Sequence, residues 1–357
     1  MSVFAAFSRF VSILGYTYKR SMLSLETIDE KELEEQRSLT EILQSAVMVQ
    51  GSKEAHKKIK LQPRGIDMQN NNAVSVITGS AAQVPKETAE ALKIDILPLL
   101  IYIDGKEYHD GIDISPGELY QRMRLNQMEV KTAAPTVGQY YQAFKNSIEG
   151  GAKEILCVTL SSKLSADYSS AKNAANLVKT ENPESKIFVF DSRRAAVPQG
   201  LLTIEAAERL NAGQSMEDVL TYLENAWQKS SLIAALDTLE YLNRGGRIGQ
   251  AAIYVGSTLR ILPIVYLNDE GIVAPAAILR GKNKIIPTLV SQLKKRTEGY
   301  QKIWLAVMHA DALERAEELK EAIQEAFPLI NIPIDEFTPV MGAHAGPGLL
   351  GLGYLFE

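Results

Sequence analysis

From residue 73 onward, short apolar runs alternate with longer stretches in which apolar residues recur at helical spacing. Residues 74–77 read as a strand that stops at Thr78, Gly79 and Ser80. A helix follows from Pro85 to about Lys93, and 94–103 is a second extended run ending at the turn dipeptide Asp104–Gly105. Ser115 with Glu118 makes a capping box and Pro116 suits the first helical position, so a helix starts there. Residues 131–135 read as a loop, and Thr136 with Gln139 caps a helix running to about Glu149. Strands at 154–160 and 186–190, a helix from the serine-rich segment 161–165 to about Thr180, and helices near 200–211 and 216–229 follow. This alternation predicts a mainly parallel sheet flanked by helices. Ligands of such sheets bind beyond the carboxyl ends of the strands, where 78–80, 161–165 and 191–194 all fall.

After residue 230 the rhythm changes. Residues 231–236 read as a strand, 239–244 as a helical turn stopped by Gly245 and Gly246, and 248–259 as a helix. Strands at 264–267 and 272–278 flank Asp269–Gly271. A basic helix at 282–297, a strand at 302–309, an amphipathic helix at 311–327 and a strand at 332–337 lead into a glycine-rich stretch. The class is α/β: a domain at 73–230 built on the parallel sheet, then an α+β domain at 231–357. Residues 1–72 differ from both. An apolar start with Arg9 in its middle reads as an amphipathic helix rather than a secretory signal. An acidic helical segment, a basic patch (Lys53, Lys57, Lys58, Lys60, Arg64) and an asparagine linker at 70–72 follow. The expectation there is an extension, part helical and part disordered, with no chemistry assigned.

Composition narrows the function classes. The chain has 357 residues, 46% hydrophobic and 23% charged, as in soluble globular proteins. A net charge of −5 supplies no global basic field for nucleic acid or an anionic membrane. The single cysteine, Cys157, lies in an apolar run, which excludes a disulfide within the chain and a zinc site built on cysteines. The longest apolar run in the body, 97–103, is far short of a membrane span and contains Pro98. A cytoplasmic setting fits these features. His56, His109 and His309 lack metal-ligand spacing, so no metal is expected.

Candidate chemistry concentrates in a few stretches. Residues 338–353 carry five glycines and His344. Exposed amides around Gly342, Gly346 and Gly348 suggest an anion-binding concavity, to which His344 adds a donor. The alternative is a glycine-rich turn with a surface histidine. Ser162 and Ser165 lie between a strand and a helix, where they either contact a carboxylate or phosphate or simply cap the helix. Thr132, ahead of Pro135, either donates to a ligand oxygen or makes a local turn bond. Arg244 and Arg247 beside glycines suit a phosphate or an acidic partner surface, or else form a solvated turn. The spacing of that segment is wrong for a dinucleotide fingerprint, and no P-loop or nucleophile elbow occurs.

Taken in order, these stretches resemble the DegV family, the fatty-acid-binding subunits of bacterial fatty acid kinase. The matches are Lys131–Thr132 with Pro135–Thr136, the segment 160–165, Phe190–Asp–Ser–Arg193, the segment 239–249, and 338–348. They span residues 73–357 and leave 1–72 uncovered. The resemblance implies a two-domain DegV-like fold with a long-chain fatty acid between the domains and no other cofactor. It implies that Thr132, Ser165 and His344 hold the carboxylate. It also implies that a separate ATP-binding kinase subunit phosphorylates the acid, so the chain itself is not an enzyme. Transient membrane contact for lipid exchange goes with that role. Hydroxyls and a histidine are expected to hold the acid without a permanent buried charge pair.

Two departures accompany the resemblance. The family pattern opens Thr–Asp–Ser–Thr, where this chain reads Thr78–Gly79–Ser80–Ala81. Its serine after the leucine is followed by Gly–Thr, where this chain has Ala166–Asp167. An inward-pointing Asp167 is expected to weaken carboxylate binding. Two other readings stay open: a stand-alone enzyme on a small phosphorylated or carboxylated substrate with His344 as acid or base, and a scaffold whose ligand site is lost.

Overall fold

β1 (Val74–Gly79) leads through a 3-10 turn into α1 (Lys86–Leu92) and back to the parallel strand β2 (Ile94–Leu97). The computed structural model describes residues 73–357 apart from 126–127, 255–260, 301 and 328–330. The helical and disordered expectations for 1–72 lie outside the described residues. Pro98 breaks the extended run expected at 94–103. It lacks the N–H a ladder needs, and the chain resumes as β3 (Leu100–Ile103) in a different sheet. Asp104 and Gly105, both at positive φ, turn β3 into the antiparallel strand β4 (Lys106–His109).

After α2 (Pro116–Leu125), β5 (Val130–Ala133) pairs with the other side of β3, completing a three-stranded antiparallel sheet. The sequence reading missed this sheet. Residues 131–133 fall in it although 131–135 reads as a loop, because Lys131, Thr132 and Ala133 carry no apolar alternation and pairing with β3 decides their conformation instead; 134–135 are the loop expected. α3 (Val137–Glu149) starts at the Thr136–Gln139 capping box, with both reciprocal bonds formed. β6 (Glu154–Thr159), α4 (Asp167–Glu181) and β7 (Lys186–Asp191) complete a four-stranded sheet in the order β2-β1-β6-β7, parallel throughout as expected.

α5 (Val197–Asn211) joins the halves. Eleven of its fifteen residues are buried, so it presents no solvent face and lies between the two large sheets. Two glycines allow the approach: a Cβ on Gly353 would lie 2.6 Å from that of Val197, and one on Gly200 would run into the Ala82 carbonyl. α6 (Met216–Ala226), β8 (Ser230–Ala235), α7 (Glu240–Arg244), β9 (Leu262–Leu267), β10 (Val273–Leu279), α8 (Ile285–Thr297), β11 (Ile303–His309) and α9 (Leu313–Ala326) follow. The chain ends with β12 (Ile334–Glu336), α10 (Pro339–Ala345) and β13 (Leu350–Phe356). The second large sheet has the order β10-β9-β8-β13-β11-β12, antiparallel except where β11 meets β12.

Two further expectations change. The helix at 248–259 is a 3-10 segment, Gly249–Tyr254, before the chain leaves the described residues. The glycine-rich stretch is a two-turn helix running into a central strand, not a loop. No described helix is long and apolar enough to cross a membrane.

Candidate functional site

The segments after β1, β6 and β7 converge on the face of the second large sheet. They enclose a cavity of about 480 Å3. Ala81, Leu99, Leu160, Leu164 and Ala195 line it from one side, and Leu232, Ala234, Leu236, Val265, Leu267 and Val273 from the other. Leu232, Ala234 and Leu236 alternate along β8 and its end, so one face of the strand lies against the space. Of the strand-end segments expected to share a site, 161–165 lines the cavity through Leu164 and Ser165, whereas 78–80 and 191–194 stop one residue short of it, at Ala81 and Ala195.

Polar side chains on this cavity are few, and four of them gather. Thr132, on β5, and His344, on α10, are hydrogen-bonded through Oγ1 and Nε2 at 2.7 Å. Arg247 donates from Nε to the Leu164 carbonyl at 2.9 Å and from Nη1 to the Gly245 carbonyl at 2.6 Å, which places it beside Ser165. The Ser165 hydroxyl accepts from the Asp167 N–H at 3.2 Å, leaving its own proton to donate. Burial, helped by the Arg247 charge, pushes the His344 pKa down to about 4. The imidazole is therefore neutral at pH 7 and Arg247 is the fixed charge of the corner. Arg247 thus adds a guanidinium to a cavity lining where the resemblance implied a threonine, a serine and a histidine. Nδ1 of His344 is buried with no partner among the described residues. It faces Gly245, whose missing side chain makes room for the ring.

Not every expected residue joins this corner. Ser162 is exposed, its N–H donating to Asp191 at 3.1 Å, and it does not line the cavity. Arg244 points away, pairs with Glu240, and lines a separate recess of about 150 Å3 with Tyr241 and Met128. The amides of Gly342, Gly346 and Gly348 donate to the carbonyls of Thr338, Gly342 and Ala310 at 2.7–2.8 Å. They have no N–H left for an anion, so the anion concavity is corrected. These glycines serve close packing: a Cβ on Gly342 would sit 2.7 Å from Tyr120 Cζ, and one on Gly348 2.6 Å from an Asp237 oxygen. Gly346 also ends α10 at φ 75°, a conformation that side chains resist.

Residues 73–357 match the family model described as "Uncharacterised protein, DegV family". The chain belongs to the DegV family. A DegV domain-containing protein of Clostridium perfringens is 33% identical over 282 residues, covering 78% of this chain and 96% of the relative. A DegV family protein of Thermus thermophilus, described by its fatty-acid binding, superposes with a TM-score of 0.74 at 27% identity, over 80% of this chain and all of that one. A stearic-acid-binding protein of Eubacterium ventriosum gives 0.74 at 28% identity, over 79% and 98%. The two-domain DegV fold expected from the motifs is thus the fold of this chain.

Within this DegV fold, Gly79 and Asp167, the two positions that differ from the pattern the resemblance implies, are neighbours: a Cβ on Gly79 would lie 3.6 Å from an Asp167 oxygen. Asp167 is fully buried behind Ser165 and does not line the cavity. Its Oδ1 accepts from the Tyr140 hydroxyl at 2.6 Å and its Oδ2 from the Leu160 N–H at 2.9 Å. Its side chain does not enter the cavity, so the condition under which it would weaken carboxylate binding is not met.

Sequence reasoning missed two residues. Asp110, buried after β4, accepts from the Ser80 hydroxyl at 2.6 Å and from the Val340 N–H at 2.8 Å. It fixes the first turn of α10, one turn before His344. The signal was the Asp–Gly pair at 110–111, with Gly111 at φ 71°. Arg194, 1% exposed, donates to the carbonyls of Trp227, Ser230, Arg193 and Asn268 and so ties the β7–α5 turn to β8 and the β9–β10 hairpin. Burial lowers its pKa to about 10, still charged at neutral pH. Nothing in the sequence separated it from the exposed Arg193.

Proposed function

We propose that this chain binds a long-chain fatty acid in the cavity, with the carboxylate at the corner formed by Thr132, Ser165, Arg247 and His344. The observation that carries the reading is the distribution of polarity: a mainly apolar space of about 480 Å3, lined by Thr136 and Ser170 besides, in which Thr132, Ser165, Arg247 and His344 gather at one corner. Each buried methylene contributes about 0.8 kcal/mol. An acyl chain therefore supplies most of the affinity, and a few donors fix the head group. Arg247 supplies the countercharge, while neutral His344 and the two hydroxyls supply hydrogen bonds. Relatives of the same fold that bind fatty acids support this assignment. We further propose that the acid serves a separate ATP-dependent kinase subunit, which forms the acyl phosphate. This finer step rests on the family resemblance and on the absence of a nucleotide motif from the sequence.

The Thr132–His344 pair also has the geometry of a hydroxyl nucleophile beside a base. No third group orients the imidazole, since Nδ1 has no partner among the described residues. That favours binding over catalysis by this chain. The test is denaturing mass spectrometry of the full chain as purified, followed by palmitate titration of delipidated protein. A released C14–C18 acid and saturable one-to-one uptake are expected; protein that arrives empty and takes up no palmitate would overturn the reading. For the finer step, loaded protein with ATP and a fatty acid kinase subunit should yield hydroxylamine-sensitive acyl phosphate. No product from loaded, folded protein would remove the kinase role and leave binding intact.

A further inference from the structure

The segment from Leu160 to Asp167 carries Ser165 and is closed by one side chain. The Asp167 carboxylate reaches back to the Leu160 N–H at 2.9 Å and takes the Tyr140 hydroxyl at 2.6 Å, tying the segment to α3. The Asp167 N–H meanwhile holds the Ser165 hydroxyl oxygen at 3.2 Å. The carboxylate thus closes the turn at Leu160 and anchors it to Tyr140, and so sets the place of the main-chain N–H that holds Ser165. The space that carboxylate fills lies over the end of β1. A Cβ on Gly79 would stand 3.6 and 3.8 Å from its two oxygens, and 2.8 Å from Leu99 Cδ1. Any larger side chain at position 79 would compete with it for the same volume.

We infer that Asp167 is a positioning residue for Ser165, and that Gly79 and Asp167 are a single exchanged pair. The resemblance implies an aspartate at position 79, and a carboxylate there would fall in the space that Asp167 fills here from α4, where it reaches the end of β6. Two carboxylates there would be buried within a few ångströms of each other, which disfavours ionising both. Each reversion alone should therefore fail where both together succeed.

The inference rests on the fatty-acid reading for its readout, so the assay compares palmitate with methyl palmitate. The ester keeps the chain and lacks the charged head group. In wild type the ratio of the two affinities measures head-group recognition and is independent of the folded fraction. Asp167→Ala leaves the Leu160 N–H and the Tyr140 hydroxyl unpaired. It should lower the preference for palmitate about tenfold, the loss of roughly one head-group hydrogen bond, with ester affinity unchanged. Asp167→Asn still accepts from Leu160 and can donate to Tyr140, so it should retain the preference. Gly79→Asp should lose it, and Gly79→Asp with Asp167→Thr should recover it to within about threefold. If Asp167→Ala does not fold, the double variant against Gly79→Asp alone carries the test. An undiminished preference in Asp167→Ala, equal losses for acid and ester, or a double variant no better than Gly79→Asp would each overturn the inference. Wild-type protein that binds neither compound would instead reject the fatty-acid reading itself.

Discussion

Gly245→Ala should weaken fatty-acid binding without touching any cavity residue other than His344. The backbone there, at φ −75° and ψ −8°, suits alanine, so the substitution carries no conformational strain. Its methyl, however, would stand 2.9 Å from His344 Cε1 and closer still to Nδ1. Restoring ordinary contact requires the ring to retreat by roughly 0.6 Å at Cε1 and about 1 Å at Nδ1. A shift of that size breaks the 2.7 Å bond between His344 and Thr132. The displaced ring also loses its proposed hydrogen bond to the carboxylate; one such bond is worth about 0.5–1.5 kcal/mol net, so palmitate affinity should fall about two- to tenfold. Unfolding free energy should stay within about 1 kcal/mol of wild type, because losing a glycine restricts the unfolded chain and offsets part of the crowding. Gly246→Ala is the control. That glycine has φ 71°, and an alanine methyl there would have no heavy atom within 4 Å beyond its chain neighbours. The substitution should cost about 1 kcal/mol of stability and leave affinity unchanged. Displacement of a fluorescent fatty acid and urea unfolding, run on both variants, give the four numbers. A Gly245→Ala protein that binds as wild type, or a Gly246→Ala protein that loses as much affinity, would refute the assignment of His344 to the head group.

Two further predictions use other parts of the molecule. Ala234 is buried on the cavity face of β8; Ala234→Leu adds three carbons and should displace about as many methylenes, weakening stearate by roughly 2 kcal/mol while sparing acids three carbons shorter, as read from affinities across a chain-length series. Asp335, on β12, is held up to about pKa 6 by burial. Its native value lies above the unfolded one, so it favours folding below pH 4 and opposes it increasingly as pH rises to 6. Asp335→Asn should therefore stabilise the protein by about 1–3 kcal/mol at pH 7.5 and by under about 1 kcal/mol at pH 4.5, checked by urea unfolding at both.

Most of the parallel sheet was legible because its apolar runs and capping boxes are local signals. Thr136 with Gln139 forms both reciprocal bonds of its box, and the cavity lies beyond the ends of the parallel strands, at Ala81, Leu164, Ser165 and Ala195. The small antiparallel sheet was not legible, since Lys131–Ala133 become a strand only through pairing with β3. The glycine-rich stretch misled for a related reason. Glycine signals either an open backbone or close packing, and only tertiary neighbours such as Tyr120 and Tyr241 show which. Thr132, Ser165 and His344 could be named from motifs, but their meeting with Arg247 could not. Arg247 and Arg244 are three residues apart in a similar setting, yet one faces the cavity and the other Glu240. Asp110 was hidden because its partners, Ser80 and Val340, are 30 and 230 residues away.

The corner proposed to receive a carboxylate is assembled from both halves of the described chain. Thr132 and Ser165 belong to the first half of the fold; Arg247 and His344 belong to the second. The bonds that hold the halves together surround the cavity rather than lying remote from it. Asp110 ties Ser80 to Val340, the Tyr120 hydroxyl donates to the Phe337 carbonyl at 2.8 Å, and the Ser161 hydroxyl donates to the Gly271 carbonyl at 2.9 Å. Buried polar groups of this kind are costly when unpaired, so the halves separate only by exposing several of them together. A ligand that spans the cavity favours the docked arrangement by RT ln(1 + [L]/Kd). At a hundredfold excess over Kd this is about 2.7 kcal/mol, more than any single one of those hydrogen bonds is expected to contribute. The same arithmetic explains why the polar corner can be small. Under the proposed function the acyl chain stabilises the closed cavity, and Thr132, Ser165, Arg247 and His344 need only distinguish which end of the ligand faces them.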